Sequence, residues 1–251
     1  MPKSRRLLPL LPIAALLLIW QGVCAFGWVP AFMLPSPLKV GRAFVTDFPL
    51  LMRHMLVSLE EAFIGLGLSI AAAVLLAVVL DRFSILRQMC MPLVVLTQTV
   101  PTIAIAPLLV LWLGYGVLPK IALIFITCFF PLCLALLGGL QAVDADYIRL
   151  YRTMGATNGQ ILRHVKLPAS LDSFFSGLRI SVSYAVVGAV IAEWLGGEAG
   201  LGVYMTRVRK GYAYDKMFSV ILLISLLSVL LIKCTDLLQR KAMPYKAHSK
   251  Q

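Results

Sequence analysis

QAVDADYIRLYRTMGATNGQILRHVKLPASLDSFFSG, residues 141–177, decides the fold. It is the one long polar connection in a chain otherwise built of apolar runs. Asp144 suits a helix N-cap, because its carboxylate accepts from free first-turn N–H groups and matches the positive end of the helix dipole. Residues 145–154 then form a short helix that stops at Gly155, a typical residue just past a helix end. Thr157 or Asn158 caps a second helix that runs to about Lys166. Pro168, which lacks an N–H and clashes with the turn before it, prevents continuation. Ile148, Tyr151 and Met154 are spaced by three on the first helix, and Ile161, Leu162 and Val165 share a face of the second. Both helices are therefore amphipathic. Their apolar faces need cover, either from the bilayer surface or their own bundle, or from the groove of a soluble partner.

The rest of the chain supplies the setting. Of its 251 residues, 60% are hydrophobic and 14% charged, against about 45–50% and 25% in a soluble domain. One globular core cannot hide that excess, so a bilayer is the solvent. This excludes a disordered chain and a small disulfide scaffold, and it argues against a soluble enzyme. The net charge of +12 in a soluble protein would suggest nucleic acid. Here the basic residues flank apolar runs, which points to cytoplasmic positive charge and anionic membrane lipid, and to no nucleic-acid role.

About 20 apolar residues cross a bilayer, and six stretches qualify: about 7–26, 62–80, 90–113, 117–140, 176–195 and 217–235. The whole chain, 1–251, thus reads as a single all-α polytopic membrane domain, with 141–177 as its cytoplasmic loop. The first run exceeds a signal-peptide core of about 7–15 residues, so it reads as a retained helix. With six spans both termini share a side. Placing them in the cytoplasm gathers most Lys and Arg there, including Lys3, Arg5, Arg82, Arg87, Arg149, Arg152, Lys166, Arg240 and Lys241. That is the bias expected of the cytoplasmic side. Arg207, Arg209, Lys210 and Lys216 fall outside.

Five cysteines lie mostly inside apolar runs with no CxxC pair, and the three histidines are scattered. No metal site is expected. No HExxH, nucleophile context or convincing acid pair suggests catalysis, so no catalytic residue is assigned. Glu193 is the only acid well inside an apolar run (AVIAEWLGG). Intramembrane acids face a cavity or a partner, so Glu193 is a gate or pathway residue, half of a structural ion pair, or simply exposed at the interface. Gly196, Gly197, Gly200 and Gly202 suggest a tight outer turn. Gly65, Gly67, Ser69 and Ala71–Ala73 suit close helix packing. Residues 27–58, with Leu34-Pro35-Ser36-Pro37, read as a connector.

Gly155, nine residues, then Val165-Lys166-Leu167-Pro168 resembles the cytoplasmic signature of bacterial ABC-importer permeases: Glu-Ala-Ala, three residues, Gly, nine residues, Ile, one residue, Leu-Pro. The stretches LPSP (34–37), QTVPTIAIAPLLVLWLGYG (98–116), FFPL (129–132) and RTMGAT…SGLRIS…AVIAEWLGGEAGLG are similar to the branch carrying sulfonates, taurine, nitrate and thiamine-precursor pyrimidines. The resemblance runs from about residue 34 to 232. One departure is clear: Arg149, Leu150 and Tyr151 stand where the signature has Glu-Ala-Ala, so the acid has become basic. Asp144 and Asp146 supply acidity one turn earlier.

The resemblance implies a type I ABC-importer permease fold with cytoplasmic coupling helices, in the bacterial inner membrane. Two copies of the permease would sit on two copies of an ATPase subunit, and a solute-binding protein would deliver the substrate. This chain lacks a GxxxxGK[ST] loop and would bind no cofactor, ATP and Mg staying on the ATPase. Force transfer would fall to Asp146, Arg149, Tyr151, Met154, Gly155, Ala156, Ile161, Val165, Leu167 and Pro168. The third to fifth spans would line the pathway, where Pro101 and Pro107 break the helical ladder. Gln98, Thr99 and Thr102 place polar groups there, which either line the pore or bond between helices. The alternative is an ATP-independent channel or scaffold, which needs no glycine-hinged knob.

Overall fold

The computed structural model describes residues 10–30 and 32–244, apart from the side chains of Leu10 and Gln98. The start of the first expected span, residues 7–9, lies outside the described residues. The regular secondary structure of the described residues is all helical: α1 (Leu10–Ala25), α2 (Pro37–Thr46), α3 (Phe48–Arg82), α4 (Ser84–Thr99), α5 (Thr102–Leu113), α6 (Leu118–Gln141), α7 (Ala145–Thr153), α8 (Asn158–Ile161), a π turn (Leu162–Lys166), α9 (Leu167–Trp194), α10 (Leu201–Lys210) and α11 (Tyr214–Ala242). Four helices are each long and apolar enough to cross a membrane: α3, α6, the continuous helix Asn158–Trp194, and α11. The helices α4 and α5 meet that test only together, and they bend by 98° at their junction.

Three local readings change. Residues 42–58 are not a connector. Ser36 caps α2 by accepting from the Lys39 N–H at 3.4 Å, and Pro37 follows at the first helical position, where its missing N–H costs nothing. The chain then enters α3 at Phe48, so Glu61 lies inside a helix and not at its mouth. The stretch 90–113 is not one rod: α4 stops before Pro101, which cannot continue it, while Pro92 and Pro107 stay inside their helices. Nor does Pro168 end the second loop helix. The Leu167 N–H bonds back five residues to the Leu162 carbonyl. That wide π turn shifts the register just before the proline, and Pro168 enters at the second position of α9.

The core is a three-helix layer of α3, α6 and α9. Gly65 of α3 faces Ile124, and Gly177 of α9 faces Ala135; a Cβ on either glycine would come within 2.6 Å of its neighbour. Small residues here let backbones approach, and dispersion replaces the hydrophobic effect that lipid cannot supply. Ser69 and Ala73 continue the Gly65 face and are fully buried, whereas Gly67 meets nothing. Ser181 Oγ donates to the Cys128 carbonyl at 3.0 Å, and Cys128 Sγ donates to the Ser181 carbonyl at 3.2 Å. This pins α9 to α6. The helices α1 and α11 lie outside this layer. Trp20 ties α1 to the rest by donating to the Pro35 carbonyl at 3.1 Å and packing on Phe218.

Candidate functional site

Three features stand out: a projecting helix pair at one end of the bundle, a cavity midway, and a buried polar cluster at the other end.

The projection is α7 with the turn into α8. Asp144 caps α7 by accepting from the Asp146 N–H at 2.9 Å. Gly155 has φ of +82°, the left-handed conformation that lets the chain reverse. Thr157 and Gln160 then form a reciprocal capping box that starts α8. The apolar face differs from the expected one. Ile148 and Tyr151 turn partly inward, while Tyr147, Leu150 and Met154 are exposed, at 61%, 54% and 75%. Positions i, i+3 and i+7 form one stripe, so this face was available from spacing, but the row starting at Ile148 obscured it. Of the other candidates, Ile161 is buried, Val165, Leu167 and Ala156 are half-buried, and Pro168 is exposed. Asp146 and Arg149 pair at 3.3 Å in open solvent, a contact of little energetic weight.

A residue the sequence did not flag anchors this projection. Asp81, at the end of α3, receives Lys166 Nζ on both carboxylate oxygens at 2.8 Å. The two side chains are only 9% and 19% exposed. Eighty-five residues separate them, so no local pattern reveals the pair. A cavity of about 350 Å³ opens beside it, lined by Arg82, Ile148, Arg152 and Asn158 among others.

The central cavity, about 570 Å³, lies where the α4–α5 break faces α6 and α9. Pro101 and Thr102 line it, as does Thr97. Thr99 is not part of the wall, and its hydroxyl donates to the Leu96 carbonyl at 2.7 Å. The side chain of Gln98 is outside the described residues. Glu193 is not in its wall.

Glu193 instead lies in the polar cluster, 1% exposed. Helix α10 begins at Gly200, which has no side chain to cap it. Other helices do so. His54 Nδ1 accepts from the Gly200 N–H at 3.0 Å, Ser58 Oγ from the Leu201 N–H at 2.9 Å, and Glu193 Oε2 from the Gly202 N–H at 2.5 Å. Ser58 in turn donates to Glu193 Oε1 at 2.6 Å. Three orphan donors of the first turn are thus satisfied in trans, with a carboxylate at the positive end of the dipole. Gly200 has φ of +127°, and a Cβ there would overlap the Glu193 carboxylate. Beside it, Lys120 Nζ donates to Glu61 Oε1 at 2.6 Å, both side chains being about 5% exposed. His54, Ser58, Glu61 and Lys120 are all buried and escaped the sequence reading, since each of these long-range contacts spans 59 residues or more.

At the rim, Asp47 receives Lys216 at 2.8 Å and the Tyr204 hydroxyl at 2.5 Å. Burial pushes the Asp47 pKa up, but these hydrogen bonds outweigh it and hold the carboxyl below its ordinary 3.8. Burial, and then the hydrogen bond to Asp47 and its charge, push the Tyr204 phenol above its ordinary value.

Among the described residues no group of three His, Cys, Asp or Glu could hold a metal ion. The described residues present an exposed apolar projection, a buried polar helix cap and a solute-sized space.

Comparison with known proteins gives the family and the fold. The family described as "binding-protein-dependent transport system inner membrane component" matches residues 64–244. A probable ABC transporter permease of Haemophilus influenzae is 37% identical, covering 93% of this chain and 96% of its own. The formylaminopyrimidine transport permease ThiX of Halalkalibacterium halodurans is 34% identical over 95% of each. Among solved structures, the MetNI methionine ABC transporter in an inward-facing conformation superposes with a TM-score of 0.69. It is 21% identical and covers 78% of this chain and 98% of its own, a likeness of fold.

Proposed function

The chain belongs to the family of binding-protein-dependent transport system inner membrane components; it is a membrane permease subunit of an ABC importer, and from that premise we propose how it works. Two copies pair in the bacterial inner membrane with both termini and the α7 end in the cytoplasm. Two ATPase subunits hold ATP and Mg, and this chain binds no cofactor. A solute-binding protein delivers the solute to the α10 end. The cargo is a small anion or heterocycle, such as a sulfonate, taurine, nitrate or a thiamine-precursor pyrimidine.

One observation carries the coupling mechanism. The helix from Asn158 to Trp194 is continuous, about 55 Å at 1.5 Å per residue. One end carries the projection, and Ile180, Tyr184, Val187, Gly188 and Ile191 farther along wall the cavity. A push on α7 therefore reaches the cavity wall through one rod, braced to α3 by Asp81–Lys166. Packed helices respond to such a push by switching between arrangements rather than by stretching. Met154, Gly155 and Ala156 form the hinge of the knob. Tyr147, Leu150 and Met154 fill the ATPase cleft, with Asp146, Arg149 and Tyr151 around them. Ile161, Val165, Leu167 and Pro168 hold the joint, and Pro101 and Thr102 border the pathway.

The test is a mild-detergent pull-down of the tagged protein from native membranes, with Gly155→Pro alongside. Proline cannot adopt φ of +82°. The unaltered chain should retain a stoichiometric ATPase, whereas Gly155→Pro should insert normally but abolish transport. An intact chain with no ATPase would point to a channel or scaffold.

A further inference from the structure

We propose that the central cavity carries an uncharged, planar, hydrogen-bonding solute of the aromatic-heterocycle class, and not a sulfonate or nitrate anion. This rests on the permease reading above and narrows its cargo. The cavity wall has aromatic faces and hydroxyls: Phe130 and Tyr184, with Thr97, Thr102 and Thr127. Among the described residues that line it there is no Lys, Arg, His, Asp or Glu. The cations nearest in sequence to the wall are committed elsewhere. Lys120 is bound to Glu61, and Arg179, next to wall residue Ile180, donates to Asp236 at 2.6 Å and to Gln239.

An anion leaving water here would meet no counter-charge, and an unpaired buried charge is far costlier than a buried neutral polar group. The start of α5 at the cavity edge offers only a partial positive charge. That is enough for a ring nitrogen or a carbonyl oxygen. What the wall does offer suits a flat heterocycle. Tyr184 stays 47% exposed at the mouth, and its ring and that of Phe130 can stack on a base-like face. The Thr97 and Thr127 hydroxyls donate to the Val94 and Leu123 carbonyls, each at 2.7 Å, and so offer lone pairs to N–H groups on the ring edge, while the Thr102 and Tyr184 hydroxyls can accept or donate. The space of about 570 Å³ falls within the usual range for small-molecule sites, about 300–1,000 Å³.

The experiment measures uptake of three labelled probes, a hydroxymethyl aminopyrimidine, taurine and nitrate, by cells of the native host. Cells with and without this chain are compared, together with Tyr184→Ala and Thr127→Val. Capture of the ATPase by each variant is measured in parallel. Removing the chain should lower pyrimidine uptake at least about tenfold and leave taurine and nitrate unchanged. Tyr184→Ala should lower it several-fold with the ATPase still captured. Chain-dependent uptake of taurine or nitrate, or of none of the three, with the ATPase captured would overturn the proposal and leave the permease reading standing. Failure to capture the ATPase would overturn that reading itself, and this proposal with it.

Discussion

The two ends of the bundle are built on opposite principles. At the α10 end, charged and polar groups from α3, α6 and α9 are buried and bonded to one another: Glu193, Ser58, His54, Lys120 and Glu61. At the α7 end, the conspicuous groups are apolar and exposed: Tyr147, Leu150 and Met154. The first end satisfies itself apart from Glu61 Oε2, which is buried without a hydrogen-bond partner. The second is complete only when something else covers it. On the proposed mechanism, stability is expected to be concentrated where α10 is held, and coupling where α7 projects.

That contrast yields measurable consequences. Lys120→Met should be the most damaging to stability, because it strands Glu61 in the core. Removing one partner of a buried pair costs about 3–5 kcal/mol, read as a lower unfolding temperature in detergent. Adding Glu61→Met should restore most of the loss. Glu193→Leu comes next. It removes the acceptor for the Gly202 N–H and Ser58, at about 1–3 kcal/mol for each buried donor left unpaired. Transport per folded molecule should stay near normal. A gate role would instead abolish transport in a protein that melts normally.

Asp47→Asn should have a smaller effect, confined to the higher-pH side. The native carboxyl has a pKa below 3.8, so its stabilising contribution is present above that value and lost as pH falls through the lower folded-state pKa. A plot of unfolding temperature against pH should be flatter on its acid side in the variant. Leu150→Asp should barely change stability, by under about 0.5 kcal/mol, as at other exposed positions. Yet it should remove the ATPase from the purified complex. If Leu150→Asp destabilises the fold as much as Glu193→Leu does, the contrast between the two ends is wrong.

The knob was readable because its signals are local. Asp144, Gly155 and Thr157 act on backbone groups within three or four residues, and the structure uses each of them at the expected place. Pro168 misled because a proline's effect depends on the register behind it. A π turn changes that register, and spacing alone gives no sign of it. The α4–α5 break at Pro101 was legible as a break but not as a 98° bend, since what α4 and α5 pack against sets the angle. Glu193 was legible as unusual, and its environment was not.

The sequence by itself determined the apolar helices, the polar loop with its glycine hinge, and the broken helix at Pro101. Each follows from residues near one another in the chain, through helix propensity, capping and transfer to an apolar solvent. Only the tertiary structure decided that Asp81 braces Lys166, that Leu150 faces outward, and that Glu193 caps α10 and stays out of the cavity wall. These pairings bring together groups far apart in sequence. Packing selects them from many chemically acceptable partners, since a buried charge needs a partner but nothing local specifies which one.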